Sequence, residues 1–238
     1  MKAALAERQA PVLDSAVTPD TRIAKVAELW FAELEAMVDN GKRSPGILDT
    51  YRYIYGTHVK PAVGELRVRE LTTPRADSVL ADVNAKSASR ARTAKAVLSG
   101  IMGMAARHGA VTYNPIRLVR RIDGEPKRPP RSLSATERQE WITALEASEK
   151  ARAWDLPDLS RMMLATGCRI GEALAFGWTE IDLDAAEADI AWRLVRRVGV
   201  GPLRLPSTKT GEKGERLVPL PSWAVTMTLR SQCASPSR

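Results

Sequence analysis

A basic, proline-rich segment near the middle of the chain, Gly124–Arg131 (GEPKRPPR), limits how the 238 residues can fold. Its three prolines disfavour a helix, because proline lacks a backbone N–H and pushes the preceding residue towards extended conformations. We therefore predict a semi-extended linker over 120–133 that separates two domains. Its Lys and Arg residues favour a linker that lies along a phosphate-bearing partner, and a plain interdomain tether is the alternative.

The residues before this linker predict a helical domain. Apolar residues recur there at helical spacing, and helix start and stop signals separate the repeats. The expected helices begin near Ile23, at Ser44-Pro45, at Thr73-Pro74 and near Ser89, and the last of them ends at His108. Four helices within about 90 residues are enough for a compact helical domain. We place this domain at 22–119, after a loose tail at 1–21.

The fourth expected helix has one face made of small residues. This face consists of Ala96, Ser99, Gly100 and Gly103, with Arg92 and Arg107 beside it. Glycine inside a helix costs about 1 kcal/mol relative to alanine, so a close neighbour is expected to compensate. That neighbour is either another helix or nucleic acid, and the sequence leaves both open.

The residues after the linker predict a smaller α+β domain at 134–225. It opens with the capping box Ser134-Ala135-Thr136-Glu137, and a further helix is expected near Leu156 to Ala165. From Ile181 onward apolar residues alternate, which predicts a small antiparallel sheet of about three strands. The polar residues at 226–238 predict an irregular tail. The fold class is therefore mainly α with a small antiparallel β-sheet.

The net charge of +8 is concentrated around the linker. Eleven Lys and Arg residues lie between positions 86 and 131, where the acidic residues are Asp123 and Glu125. Clustered cations favour a polyanion, because each phosphate that they neutralise releases counterions. A solvated basic surface is the alternative explanation of the same charges.

Composition also disfavours several classes of protein. No apolar run reaches the ~18 residues that span a bilayer, and Met1 to Pro11 lack the apolar core of a secretory signal. The two isolated cysteines, Cys168 and Cys233, fit a reducing cytoplasm. The histidines and cysteines lack metal-ligand spacing, so we expect no metal and no cofactor. The chain has no Gly-x-x-x-x-Gly-Lys loop, which disfavours a nucleotide hydrolase, and we expect no small-molecule substrate.

The segment Ala165–Leu174 (ATGCRIGEAL) places an arginine at the start of a helix, directly after a glycine turn. Arg169 can there grip two phosphate oxygens, and Glu172, one turn later, can fix its guanidinium. An ordinary surface ion pair is the alternative for this arginine. Lys209 lies in a polar hairpin and could act as a general acid or stabilise developing charge, or it could serve solubility alone.

The order of these features resembles the tyrosine recombinases of the phage integrase type, over roughly residues 22–225. The resemblance rests on the Thr166–Glu172 turn (TGCRIGE), the Lys209-Thr210-Gly211 hairpin, and the segments Thr50-Tyr51-Arg52, His58-Val59-Lys60-Pro61 and Asn114-Pro115. It implies an N-terminal SAM-like four-helix core-binding domain and a partial α+β integrase catalytic domain. It also implies that Arg169 is the first catalytic arginine, Lys209 the hairpin lysine and Glu172 the supporting acid.

The resemblance further implies double-stranded DNA as the partner, at attachment or inverted-repeat sites, with assembly of several copies on that DNA. No membrane partner is expected. The candidate DNA contacts are Arg92, Lys95, Arg107, Lys127 and Arg128. Most of them would touch phosphate, and such contacts position a protein on DNA without reading its sequence.

The sequence departs from that family in its second half. The family uses a His-x-x-Arg segment, a further His or Trp, and a tyrosine nucleophile, whereas no histidine follows His108 and all four tyrosines precede Arg169. We therefore expect a C-terminally truncated recombinase that binds DNA and does not cleave it alone. Two alternatives stay open. One is a non-catalytic module that occupies recombination sites or joins a full-length recombinase, and the other is a DNA-binding regulator without recombinase ancestry.

Overall fold

A computed structural model describes residues 17–124, 129–206 and 214–234 of the chain. Contacts between residues divide the chain into two units, Met1–Lys127 and Arg128–Arg238. The division lies inside the segment 120–133 that the prolines mark in the sequence. None of the helices in the described ranges is long and apolar enough to cross a membrane.

The described part of the first unit is helical. Its helices are α1 (Ile23–Asp39), α2 (Pro45–Ile54), α3 (Lys60–Val63), α4 (Thr73–Lys86) and α5 (Ala88–Arg107). A π-helical turn at Tyr55–Val59 joins α2 to α3, and 3-10 turns lie at Val68–Glu70 and Pro115–Leu118. The four helices expected from the sequence are present, the second of them being α2 and α3 taken together.

The core of the first unit is centred on α1 and α5. Ile23 and Val26 of α1, and Leu98 and Ile101 of α5, are fully buried in one hydrophobic cluster. Their spacing of three residues is that of a helix face, which explains why the sequence predicted both helices. Apolar burial of this kind is the main term that stabilises such a unit.

The small-residue face of α5 packs against protein. A Cβ atom added to Gly100 would lie 2.3 Å from the indole of Trp30, so the glycine makes room for that ring. Trp30 in turn stacks on Tyr51 of α2, with ring centroids 5.8 Å apart. The backbone carbonyl of Ser99 accepts a hydrogen bond from the side-chain amide of Asn114 at 2.8 Å. Of the two neighbours that the sequence left open, protein is therefore the one found at Ser99 and Gly100.

The second unit combines helices with short strands. Its described helices are α6 (Ala135–Ala147), α7 (Glu149–Ala153), α8 (Leu156–Thr166), α9 (Ile170–Ala173) and α10 (Ser222–Ala234). The predicted capping box is present at the start of α6: the Ser134 hydroxyl accepts from the Glu137 N–H, and the Glu137 carboxylate accepts from the Ser134 N–H. The two terminal guanidinium nitrogens of Arg131, Nη1 and Nη2, also donate to this carboxylate, and their hydrogen bonds lower the pKa of Glu137 to about 2.

The strands form two antiparallel sheets, where the sequence predicted one sheet of about three strands. The first sheet has the order β1 (Ile181–Asp182), β2 (Glu187–Ile190), β5 (Arg216–Pro219), and the second pairs β3 (Trp192–Arg197) with β4 (Gly201–Pro206). The alternation of apolar residues continues from β2 into β3 without a break at Ala191. Ile190 of β2, however, pairs with Arg216 of β5, whereas Trp192 of β3 pairs with Pro206 of β4. The partner strand therefore changes at Ala191, which a period-two pattern in one strand does not reveal.

The helix α10 corrects the irregular tail expected at 226–238, at least as far as residue 234. Ala224 and Thr228 are buried and lie one helical turn apart. The Thr228 hydroxyl donates to the carbonyl of Ala224 at 2.8 Å, so its polar group is satisfied inside the helix. The sequence pattern predicts a tail here because the buried face of the helix is built from small and hydroxyl-bearing residues.

Candidate functional site

Arg169 stands at a sharp turn between two helices. α8 ends at Thr166, and Gly167 follows in the left-handed region with φ +62°, where glycine avoids the steric cost of a side chain. Arg169 itself is extended and begins α9 as its N-cap. The glycine turn predicted from the sequence is therefore what places this arginine.

The side chain of Glu172 lies under this turn and holds Arg169 by two hydrogen bonds. Glu172 is only 3% exposed. Its Oε2 accepts from the backbone N–H of Arg169 at 3.0 Å, and its Oε1 accepts from the Arg169 guanidinium at 2.9 Å. The structure thus brings together two of the three residues that the sequence analysis assigned to catalysis.

A second guanidinium approaches the same carboxylate. Arg216, the first residue of β5, places Nη2 3.5 Å from Oε2 of Glu172 and donates from Nη1 to the carbonyl of Gly214 at 2.9 Å. Arg216 is not among the site residues predicted from the sequence. The sequence feature that could have identified Arg216 is the alternation of buried and exposed residues in β5. Leu217 is exposed there, and Arg216 lies on the more buried face with Val218.

These charges keep Glu172 ionised. Burial raises the pKa of Glu172, but the hydrogen bonds from Arg169 and the positive charges of Arg169 and Arg216 outweigh it, so that the pKa lies below its usual value. One carboxylate faces two guanidinium groups, so the cluster has an excess of positive charge. The Arg169 side chain is 54% exposed, which leaves donors of its guanidinium open to an anion. The arrangement is suited to hold a phosphate group.

The neighbouring Cys168, unlike Glu172, is kept in its neutral form by burial. Desolvation raises the pKa of its thiol, with the negative charge of Glu172 acting in the same direction. The thiol is therefore kept neutral, and a neutral thiol is a poor nucleophile. In the described ranges, no group of three or more His, Cys, Asp or Glu side chains could hold a metal ion.

Three of the predicted site residues lie outside the described residues: Lys209, Lys127 and Arg128. The last described residue before Lys209 is Pro206 at the end of β4, and the first after it is Gly214. The roles assigned to these three side chains stay predictions.

The remaining candidates lie on α5 of the first unit, and each of their side chains has a protein partner. The Lys95 ammonium donates to the carbonyls of Val119 and Arg120, at 2.8 and 2.9 Å. These hydrogen bonds hold the start of the linker against α5, so Lys95 has a structural function. Its charge remains, but fewer of its donors are left for an anion.

The two arginines of α5 are more open. Arg92 Nε donates to the carbonyl of Ile122 at 3.3 Å, and the Arg107 guanidinium forms an ion pair with Glu33 at 2.6 Å. Arg92 is an exposed residue, and the Arg107 side chain is 58% exposed. Both guanidinium groups can therefore reach a further anion at the surface of the first unit.

Comparison with known proteins identifies the fold. No model of a protein family matches this sequence, and no curated protein sequence matches it. The Tn1549 transposon integrase in complex with transposon right end DNA matches with a TM-score of 0.70 at 16% identity, covering 92% of this chain and 67% of that chain. A lambda integrase tetramer bound to a Holliday junction matches with a TM-score of 0.58 at 18% identity, covering 79% of this chain and 49% of that one. The chain has a tyrosine recombinase fold.

The recombinase fold confirms the fold class predicted from the sequence. Another complex of the Tn1549 integrase, with a circular intermediate DNA, matches with a TM-score of 0.69 at 15% identity and covers 90% of this chain and 66% of that chain. The present chain therefore spans about two thirds of the solved Tn1549 integrase fragment and about half of the solved lambda integrase chain. Within the recombinase fold, the Arg169 turn is the described feature with the clearest capacity to bind an anion.

Proposed function

We propose that this chain is a DNA-binding protein of the site-specific recombinase type, acting in DNA integration or recombination. The observation that carries the proposal is the half-exposed guanidinium of Arg169, held by the buried carboxylate of Glu172 within a recombinase fold. A fixed guanidinium binds a phosphodiester more tightly than a mobile one, because its side-chain entropy is already lost. Arg169 would clamp one phosphate, and Glu172 would orient it.

The second part of the proposed site is Lys209. Its position between β4 and β5 makes it a candidate general acid towards a leaving oxygen, or a charge that stabilises the transition state. The partner would be double-stranded DNA at attachment or inverted-repeat sites, with several copies assembling there. The matched integrases were solved in complex with DNA, one of them as a tetramer on a Holliday junction, which supports this partner.

The first unit would add phosphate contacts. Arg92 and Arg107 are the described candidates, while Lys127 and Arg128 extend the same basic stretch along the linker. We propose 22–119 as the core-binding domain and 134–225 as the partial catalytic domain, joined by 120–133.

The compartment proposed for the protein is the cytoplasm. The two isolated cysteines, Cys168 and Cys233, support a reducing compartment.

We further propose that this chain binds DNA without forming a covalent intermediate of its own. In the recombinase reaction a tyrosine hydroxyl attacks phosphorus and displaces a deoxyribose hydroxyl of the cleaved strand, so that the bond energy is kept in a phosphotyrosine. All four tyrosines of this chain precede Arg169, and no histidine follows His108. The alternative is a non-catalytic module that occupies recombination sites or joins a full-length recombinase.

The test combines binding and covalent trapping on the same protein. The full chain is titrated against fluorescent duplex DNA at several salt concentrations, and then incubated with nicked suicide substrates and analysed by denaturing electrophoresis. We expect binding that weakens steeply with salt and no covalent adduct. Absence of duplex binding at low salt would overturn the DNA-binding proposal, and an adduct band would overturn the proposed inactivity.

A further inference from the structure

The helix that carries the candidate site is too short to be stable on its own. α9 has four residues, and a single helical turn does not form in water without tertiary contacts. Ile170 in this helix and Leu174 directly after it are about half exposed, at 58% and 48%. The buried apolar residues of the turn are small ones, Cys168, Ala173 and Ala175. Polar contacts from neighbouring strands therefore add to what fixes the turn.

One such contact lies at the beginning of the turn and comes from β5. Arg216 approaches Glu172 at 3.5 Å while it bonds to the carbonyl of Gly214 at 2.9 Å. Glu172 in turn holds both the backbone and the guanidinium of Arg169. Arg216 thus acts on Arg169 through the buried carboxylate that they share.

A second contact lies at the end of the turn and comes from β4. Arg204 donates from Nε to the carbonyl of Ala175 at 3.0 Å and from Nη2 to Oε2 of Glu180 at 2.6 Å. The same Glu180 oxygen accepts from the backbone N–H of Gly177 at 2.7 Å. The flat face of Arg204 also covers the ring of Trp192 on β3, with Cζ 4.3 Å from the ring centroid.

We infer that Arg204 and Arg216 are positioning residues that fix the two ends of the 169–180 segment and so hold the Arg169 guanidinium in place for phosphate. The inference rests on the proposed function. Neither arginine needs to touch DNA for this purpose. Arg216 acts at the start of the segment through Glu172, and Arg204 acts at its end through Ala175 and Glu180.

The chemistry of arginine explains why a lysine would not replace Arg204. The planar guanidinium presents donors in a fixed fork, so that one side chain can bond a carbonyl and a carboxylate while its face stacks on an aromatic ring. An ammonium group has no face to stack and no fixed fork. Burial raises the pKa of Glu180, but its hydrogen bonds, above all the one from Arg204, lower the pKa overall. The Glu180 carboxylate therefore stays charged at neutral pH.

The test asks whether the effect of Arg169 on DNA binding depends on Arg204 and Arg216, here called the two anchors. Duplex DNA affinity is measured for Arg169→Ala in four backgrounds: unchanged, Arg204→Met, Arg216→Met and Arg196→Met. Arg196 is the matched control, because it is an exposed arginine on β3. Tryptophan fluorescence and circular dichroism verify that each background is folded.

We expect Arg169→Ala to weaken binding by about tenfold in the unchanged and Arg196→Met backgrounds. In the Arg204→Met and Arg216→Met backgrounds the same change should cost less than about threefold, because the guanidinium is already misplaced. Equal losses in all four backgrounds would overturn the inference. The inference would also fail if Arg204→Met or Arg216→Met alone lowered the salt dependence of duplex binding and its loss of affinity added fully to that of Arg169→Ala. That result would mark a direct phosphate contact.

A second measurement, made without DNA, separates the inference from the proposed function. Hydrogen–deuterium exchange of the peptide that spans 169–180 is compared among the same backgrounds. Both anchor variants should raise its exchange rate several-fold over the Arg196→Met control. Unchanged exchange would overturn the anchoring even if DNA binds. Raised exchange in a protein that binds no DNA would uphold the anchoring and reject the proposed function alone.

Discussion

Glu172 is the residue on which the geometry of the candidate site depends. We predict that Glu172→Gln destabilises the second unit by about 2 kcal/mol, because the amide keeps the shape but removes the charge that faces Arg169 and Arg216. Urea unfolding followed by tryptophan fluorescence measures this, since five of the six tryptophans lie between residues 141 and 223. Glu215→Gln is the matched control, because Glu215 is an exposed neighbour of Arg216. Equal midpoints for the two variants would contradict the assigned role.

The lowered pKa of Glu172 and Glu137 also predicts how the second unit responds to acid. A carboxyl group whose pKa is lower in the folded than in the unfolded state contributes stability that is fully present above its unfolded pKa, about 4.3. That contribution is lost as the pH falls towards the folded value, which is about 2 for Glu137. The urea midpoint of the wild-type chain should therefore fall between about pH 4.3 and pH 2, and it should fall less in Glu172→Gln. A midpoint that stays constant over this range would contradict the prediction.

At the scale of elements, the close packing of α1 on α5 depends on Gly100. We predict that Gly100→Ala destabilises the first unit by about 1–2 kcal/mol, because a clash with the Trp30 ring outweighs the gain in helix propensity. Gly103→Ala is the control, since its Cβ would lie 3.7 Å from the Asn114 side chain, an ordinary contact distance. Thermal unfolding followed by circular dichroism should show a lower midpoint for Gly100→Ala and an equal or higher one for Gly103→Ala. The reverse order would contradict this account of the small-residue face.

The elements also show what the sequence can reveal. Long helices with a continuous apolar face, such as α1 and α5, were predictable because every third or fourth residue is buried in one core. α10 was not, because its buried Thr228 satisfies its own hydroxyl within the helix and looks polar in the sequence. The change of sheet at Ala191 was missed because alternation continues through it while the partner strand changes.

The candidate site divides in the same way. The Arg169 and Glu172 pair was predictable, since a glycine turn and an i,i+3 spacing are local signals. Arg204 and Arg216 were not, because an arginine in a short strand looks like a solvent-facing residue until its partner across the fold is known. Their contacts with Glu180 and Glu172 join residues that are distant in the sequence.

At the scale of the whole molecule, the charge distribution determines how DNA binding should depend on salt. The excess positive charge lies largely between residues 86 and 131, so most phosphate contacts are expected from that region. The second unit is close to neutral in sequence, and its contribution would come from a few well-placed cations. One substitution at Arg169 should therefore weaken binding by a limited and measurable amount without abolishing it.

Whether the Arg169 guanidinium holds a DNA phosphate can be tested by the salt dependence of duplex binding for Arg169→Ala. The control is Arg152→Ala, which removes an exposed arginine of α7 in the same unit. Affinity is measured by fluorescence anisotropy over a series of salt concentrations. We predict that Arg169→Ala lowers affinity by about tenfold and reduces the slope of log affinity against log salt by about one, whereas the control changes neither. An Arg169→Ala chain with the affinity and slope of the wild type would contradict the claim.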